Sequence, residues 1–159
     1  MIICDVGTVR FQVRVAGVAI RDGRVLLARA DGTDFSFLPG GRVEAGESAA
    51  DAIRREMLEE LGAQVRVERL VWIVENFFRL DGHKFQEMCL CFAMALPEDF
   101  LDPDSVHHDP QDHITLFWHP LSALAASGLR PAFLQTALRA IPPGIEHLVV
   151  RETRSVGRR

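Results

Sequence analysis

Cysteine is scarce in this 159-residue chain, with only Cys4, Cys89 and Cys91. An odd, sparse set makes no disulfide framework, and the Cys89/Cys91 spacing fits no common zinc knuckle. That pair reads as buried thiols within an apolar run, suited to a reducing cytoplasm. No apolar run reaches the roughly 20 residues that a membrane helix needs, so no membrane partner is expected. The opening residues, Met1-Ile2-Ile3-Cys4-Asp5, place no basic stretch ahead of a long apolar one, which argues against a secretory leader. Basic residues are outnumbered, 18 Lys and Arg against 22 Asp and Glu, for a net charge of −4. A nucleic acid polymer is therefore not an expected partner. Internal repeats and low-complexity linkers are absent too.

What remains is an ordinary globular composition, 48% hydrophobic and 25% charged. It excludes disorder, collagen and coiled coil. The length suits one domain with a real core, expected over residues 1–150, with 151–159 as a loose basic tail. Val13 to Ile20 is rich in β-branched residues, and Val25-Leu26-Leu27 follows across the hairpin dipeptide Asp22-Gly23. Phe35 to Leu38 reads as a short strand stopped by Pro39-Gly40-Gly41. Ser48 caps a helix running to about Leu61, and Gly62 stops it. Val65 to Leu80, with a bulge, and Lys84 to Ala95 read as strands joined at Asp81-Gly82. Pro97 to Asp112 reads as a long acidic loop and His113 to Trp118 as a strand. Leu121 to Ala126 and Pro131 to Ile141 read as helices, and Glu146 to Val150 as a last strand. Hairpins mixed with helices imply a mixed sheet with helices on both faces.

Gly41 to Ala63 is the segment that carries chemistry. At about 100° per residue, Ala50, Ile53, Met57, Leu58 and Leu61 fall on one arc, which faces the core. Glu56 and Glu60, four apart, nearly superimpose on another side, with Glu59 at their border. Like charges on one helix face destabilise it by roughly a few tenths of a kcal/mol per pair. Arg55 stands four before Glu59 and can pair locally. One arginine does not neutralise Glu47, Glu56, Glu59 and Glu60. Clustered carboxylates suit a hard divalent cation, and Mg²⁺ in particular is held by a few carboxylates, waters and substrate phosphates. A solvated acidic face is the competing interpretation of the helix alone. The glycines of Pro39-Gly40-Gly41 let the backbone approach a ligand closely, as a diphosphate–metal site requires.

These residues resemble the box that defines the Nudix hydrolases. Gly41, Glu47, Arg55, Glu56, Glu59, Glu60 and Gly62 match its fixed positions. Met57 takes the first aliphatic position, and Ala63 the last, where Ile, Leu or Val is usual. At ordinary residue frequencies, seven such coincidences have odds on the order of one in a million. The resemblance implies an α/β/α sandwich built on a mixed β-sheet. It also implies Mg²⁺- or Mn²⁺-dependent hydrolysis of a diphosphate linkage in a small nucleoside diphosphate derivative. By position, Glu56, Glu59 and Glu60 are metal ligands, with the Gly41 carbonyl as a further one. Arg55 orients them by pairing with Glu47 or Glu56. The alternative is a non-catalytic sensor of the same fold, which would be expected to have an eroded box.

The box does not assign the catalytic base, and Glu59 and Glu87 are the candidates. Glu87 ends a strand face made by Phe85, Cys89, Cys91 and Ala93, opposite Met88, Leu90, Phe92 and Met94. A carboxylate at such a place wants a cation or a donor. Gly40, Gly41, Phe37 and Arg79 are expected at the substrate, with Phe35, Phe77, Phe78, His83 and Trp118 as further candidates. His107, His108, Asp109 and His113 lack zinc spacing and read as part of a flap. The chain has no tyrosine, so the downstream tyrosine of diadenosine polyphosphate hydrolases is missing. The proline expected past the box in many ADP-ribose pyrophosphatases is replaced around Phe77 to Arg79. A nucleoside triphosphate, a nucleotide sugar and an oxidised nucleotide all stay open, and the sequence allows a homodimer.

Overall fold

The computed structural model describes residues 1–102, 104–109, 111 and 113–156, the last four as backbone. Strands β1 (Ile3–Val6), β2 (Val9–Val18), β5 (Arg66–Leu80), β6 (His83–Ala95) and β9 (Glu146–Val156) form one sheet in the order β1-β2-β6-β5-β9. Strands β3 (Ile20–Arg21), β4 (Arg24–Ala30), β7 (Val106–Asp109) and β8 (Ile114–Pro120) form a second, ordered β3-β4-β8-β7. The first sheet is mixed. β2 runs parallel to β6 and β5 to β9, while β1/β2 and β5/β6 are antiparallel.

Strand side chains alternate between faces, so the central strands feed two cores. Leu26 and Ala28 of β4 pack with Val15, Ile53 and Met57 against helix α1 (Ala49–Leu61). Val25 and Leu27 pack instead with Trp72, Leu124 and Leu129 against a 3₁₀ segment, Leu121–Ser127, and helix α2 (Leu134–Ala137). This is the expected α/β/α arrangement. No helix among the described residues is long and apolar enough to cross a membrane.

Local signals place most boundaries. Asp22 and Gly23 take φ of 50° and 71°, and Asp81 and Gly82 take 48° and 82°. Positive φ at both central positions is what the tightest hairpins need. β5 carries the anticipated irregularity, with register shifts at Val67/Arg69 and Leu70/Trp72.

The structure departs from the sequence expectations in several places. Residues 35–38 form no strand of their own but only isolated bridges, Phe37 to Ala28 and Ser36 to Leu129. β1 pairs with β2 where no strand was expected. The acidic loop contains β7, which β8 organises by pairing. The two late helices shrink to the 3₁₀ segment, kinked at Ala123, and to four-residue α2. The stretch expected as a loose tail from Arg151 continues β9 to Val156, because long β5 extends the edge it pairs with. Residues 157–159 of that tail lie outside the described residues. Last, Leu58 is 51% exposed while Ala52 is fully buried. The buried arc of α1 is thus rotated toward Glu56 and Glu60.

Candidate active site

The loop before α1 is held as a strand-like edge along β2. Gly17, Val15 and Val13 bond to Pro39, Gly41 and Val43, through Gly17 N to Pro39 O at 2.8 Å, Val15 N to Gly41 O at 2.9 Å and Val43 N to Val13 O at 3.0 Å. Gly40 has φ of 142°, and a Cβ there would lie 2.2 Å from the Val15 carbonyl oxygen. A Cβ on Gly41 would lie 2.1 Å from Glu56 Oε2. The missing side chain of Gly41 is therefore the space the Glu56 carboxylate fills. The Gly41 carbonyl accepts from Val15 and keeps a second lone pair. The helix begins where Ser48 Oγ accepts from the Asp51 amide at 3.2 Å. It ends where Gly62, at φ 63°, donates to the Leu58 carbonyl.

Arg55 organises the carboxylates. Its Nε and Nη2 donate to the two Glu47 oxygens at 3.1 and 2.7 Å, a bidentate pair. Its Nη1 donates to Glu56 Oε1 at 2.8 Å and to Glu59 Oε2 at 3.1 Å. Nη2 also donates to the Arg42 carbonyl at 3.1 Å. Arg55 thus pairs with both Glu47 and Glu56. The Arg55 hydrogen bond holds the Glu47 carboxyl below its ordinary range, and the same bond raises the Arg55 pKa. The Glu56 carboxyl is pushed up, chiefly by burial, against the pull of Arg55; the charge of Glu59 adds less. Glu60 is 4% exposed, whereas the Glu59 side chain is 57% exposed. His107 Nε2 donates to the Glu60 carbonyl at 3.0 Å, tying β7 to the end of α1.

Among the described residues no three His, Cys, Asp or Glu side chains converge as a ready-made metal cage. Arg55 holds oxygens of Glu56 and Glu59 instead. The donor set nevertheless fits a hard divalent ion, because Glu56, Glu59, Glu60 and the Gly41 carbonyl offer oxygen alone. The vacancy at Gly41 also gives the Glu56 carboxylate its place beside that carbonyl.

On the face of the sheet away from α1 lies a cavity of about 290 Å³, near the low end of the roughly 300–1,000 Å³ usual for ligand pockets. Its floor carries Gln12 and Arg14 of β2, Glu87 and Cys89 of β6, and Asn76 and Phe78 of β5. Register places Gln12 beside Glu87 and Glu87 beside Asn76. The Gln12 amide donates to Glu87 Oε2, and Arg42 Nε donates to Gln12 Oε1 at 2.9 Å. Arg14 Nη2 donates to the Gly40 carbonyl at 2.7 Å, at the border between cavity and loop. Burial opposes the charge on Arg14, but Glu87, Cys89, Glu60 and Glu56 together raise its pKa. Burial and then Arg14 lower that of Arg42. Phe35 and Phe37 also line it.

Of the expected substrate residues, Phe37 lines the cavity and Gly40 borders it through Arg14, whereas Gly41 lies against the Glu56 carboxylate. Arg79 does not. It is exposed and alternates with Phe78 and Leu80, which do line the cavity. Phe77 lies under the Arg151 guanidinium, 4.1 Å from ring centroid to carbon, and Trp118 is core, its Nε1 donating to the Leu101 carbonyl. Glu87 faces the cavity, while Leu90, Phe92 and Met94 of the same strand face α1. Cys89 and Cys91 line the cavity with sulfurs 3.9 Å apart. Their hydrogen bond, and then burial, push the Cys89 thiol well up. Cys4 is exposed. Gln12, Arg14, Arg42, Asn76 and Phe85 were not singled out from sequence. The signal for two of them is the polar alternation Arg10, Gln12, Arg14 against Phe11, Val13, Val15.

Residues 10–139 match the NUDIX domain. The chain is 42% identical over 69 residues to a MutT-like protein of Streptomyces ambofaciens, covering 43% of this chain and 45% of that one. It thus spans less than half of that relative. It is 32% identical over 98 residues to the CTP pyrophosphohydrolase of Escherichia coli, covering 48% of this chain and 73% of that one. Among solved structures, the mutator MutT protein of Bacillus halodurans shares the fold at a TM-score of 0.68 and 19% identity, over 91% of this chain and 94% of that one. An intact glycine loop and carboxylate helix on this frame, matched along most of its length, make the chain a member of the Nudix family.

Proposed function

We propose that the chain is a divalent-metal-dependent pyrophosphohydrolase acting on a diphosphate linkage in a small nucleoside diphosphate derivative. The observation that carries this is the placement of Glu56 against Gly41, with the Arg14-lined cavity opening beside the same loop. Glu56, Glu59, Glu60 and the Gly41 carbonyl would hold Mg²⁺ or Mn²⁺. When bound, such an ion neutralises phosphoryl charge and lowers the pKa of an attacking water. Glu47 anchors Arg55, and Arg55 keeps the carboxylates in place. Arg14 and Arg42 bring positive charge to a diphosphate entering from the cavity, and Phe37 packs against the nucleoside. Glu59 is the proposed base, taking the proton of the attacking water at a carboxylate oxygen. It is favoured over Glu87 because it shares α1 with the other carboxylates and is the most exposed of them, whereas Glu87 faces the cavity. The test is product release from a panel of nucleoside triphosphates, nucleotide sugars and ADP-ribose with Mg²⁺, Mn²⁺ or excess EDTA. Cation-dependent cleavage is the expected result. Binding without cleavage across the panel would make the protein a sensor instead.

A further inference from the structure

Two thiols in the cavity take no part in the chemistry above. Cys89 and Cys91 stand two apart on β6 and both line the cavity, with sulfurs 3.9 Å apart. Cys89 is half-buried and Cys91 is buried. Register sets Arg14 of β2 beside Cys89 and Ala16 beside Cys91, with Val74 and Trp72 of β5 on the other side. The pair is ill placed for a disulfide. Residues two apart on a strand have Cα atoms about 6.6–6.8 Å apart. Their Cβ atoms point the same way and stay nearly as far apart, whereas a disulfide needs Cβ atoms roughly 3.5–4.5 Å apart. The Cys91 hydrogen bond, and then burial, also push the Cys89 thiol well up, which makes it a slow nucleophile toward oxidants. A bridging atom suits the geometry better. Metal–thiolate bonds of about 2.3 Å let two sulfurs on one ion stand up to about 4.6 Å apart, and 3.9 Å falls inside that reach.

We propose that Cys89 and Cys91 form a site for a soft monovalent ion of the Cu(I) type, held by two thiolates inside the cavity. Thiolates select soft ions such as Cu(I) and zinc. Zinc in a structural site takes four ligands. Among the described residues, no three His, Cys, Asp or Glu side chains are placed to hold an ion together, so a zinc site is incomplete here and an ion content with two thiolates is favoured. Coordination expels the thiol protons. Two thiolates against one cation leave a single negative charge, and the Arg14 guanidinium beside Cys89 offsets it. The hard ion proposed for α1 would not compete, because its donors are oxygen alone. The thiol site stands whether or not the chain is a hydrolase.

The experiment titrates Cu(I), kept reduced and free of oxygen, into the full chain in competition with the coloured chelator bicinchoninate. Wild type, Cys4→Ser, Cys89→Ala and Cys91→Ala are compared, with thermal melts of each metal-free protein to confirm folding. The wild type and Cys4→Ser should each withhold one ion per chain from the chelator. Losing either cavity thiol should weaken binding at least about 100-fold, the upper end of what outer-shell partners of a metal cost. X-ray absorption of copper-loaded Cys4→Ser should show sulfur neighbours at about 2.3 Å, a readout that holds even where a cavity variant does not fold. No ion withheld by the wild type, equal binding by folded Cys89→Ala or Cys91→Ala, or a shell of nitrogen and oxygen alone overturns the inference. Loss of the ion in Cys4→Ser places it on the exposed thiol and overturns the inference too.

Discussion

Two adjacent glycines are needed for different reasons, and single substitutions separate them. Gly41→Ala puts a methyl group where the Glu56 carboxylate lies. Turnover should fall on the order of tenfold or more, with the circular dichroism spectrum unchanged. Gly40→Ala meets backbone, the Val15 carbonyl, at a φ of 142°. It should cost about 3 kcal/mol of stability, read by denaturant unfolding; a Gly40→Ala protein as stable as wild type would contradict the packing. Glu47 makes a pH-dependent contribution. Its carboxyl titrates below the ordinary 4.5 because Arg55 bonds it. That stabilisation is complete above the ordinary value and is lost as pH falls through the lowered one. Glu47→Gln should therefore cost about 1–2 kcal/mol near neutrality. Thermal melts should show its deficit shrinking toward acid; a deficit that stays constant down to acid unfolding would contradict the pairing.

At the scale of elements, one arginine on a two-residue strand holds a loop. Arg21 Nη1 donates to the Pro97 and Glu98 carbonyls at 3.1 and 3.0 Å, and Nη2 to those of Phe100 and Leu101 at 2.6 and 3.1 Å. Its guanidinium lies 4.6 Å from the Trp118 ring centroid. Arg21→Ala should speed proteolysis within residues 97–101, and Arg21→Lys should not restore protection, since an ammonium lacks the planar fork. Cleavage at the wild-type rate in Arg21→Ala would remove this role. The elements legible in the sequence are those closed by their own residues: Ser48 and Gly62 bound α1, and Asp22-Gly23 and Asp81-Gly82 turn their hairpins. β7 was hidden because Val106–Asp109 becomes a strand only beside β8. The late helices are shorter than their sequence suggests because apolar residues around Leu124, Leu134 and Leu138 record burial against the sheet rather than helix length.

For the whole molecule, the same contrast divides the site. The carboxylate helix and its loop lie within residues 41–63 and could be read as one motif. The cavity joins Gln12, Asn76 and Glu87, which the parallel β2/β6 pairing and the β5/β6 hairpin bring into one row. No local pattern announces that pairing, and so Glu87 could be named while its neighbours could not. Arg79 falls outside the cavity for a related reason, because strand parity decides which face of the sheet a side chain lines. The proposed hydrolysis requires the α1 carboxylates to act through a divalent ion. The most direct test is turnover of the best panel substrate by wild type and Glu56→Gln, each with saturating Mg²⁺ and with excess EDTA, alongside circular dichroism. The expected result is a wild-type rate abolished by EDTA and a Glu56→Gln rate lower by on the order of 10²-fold with the fold intact. Wild-type turnover in Glu56→Gln, or full activity in EDTA, would contradict it.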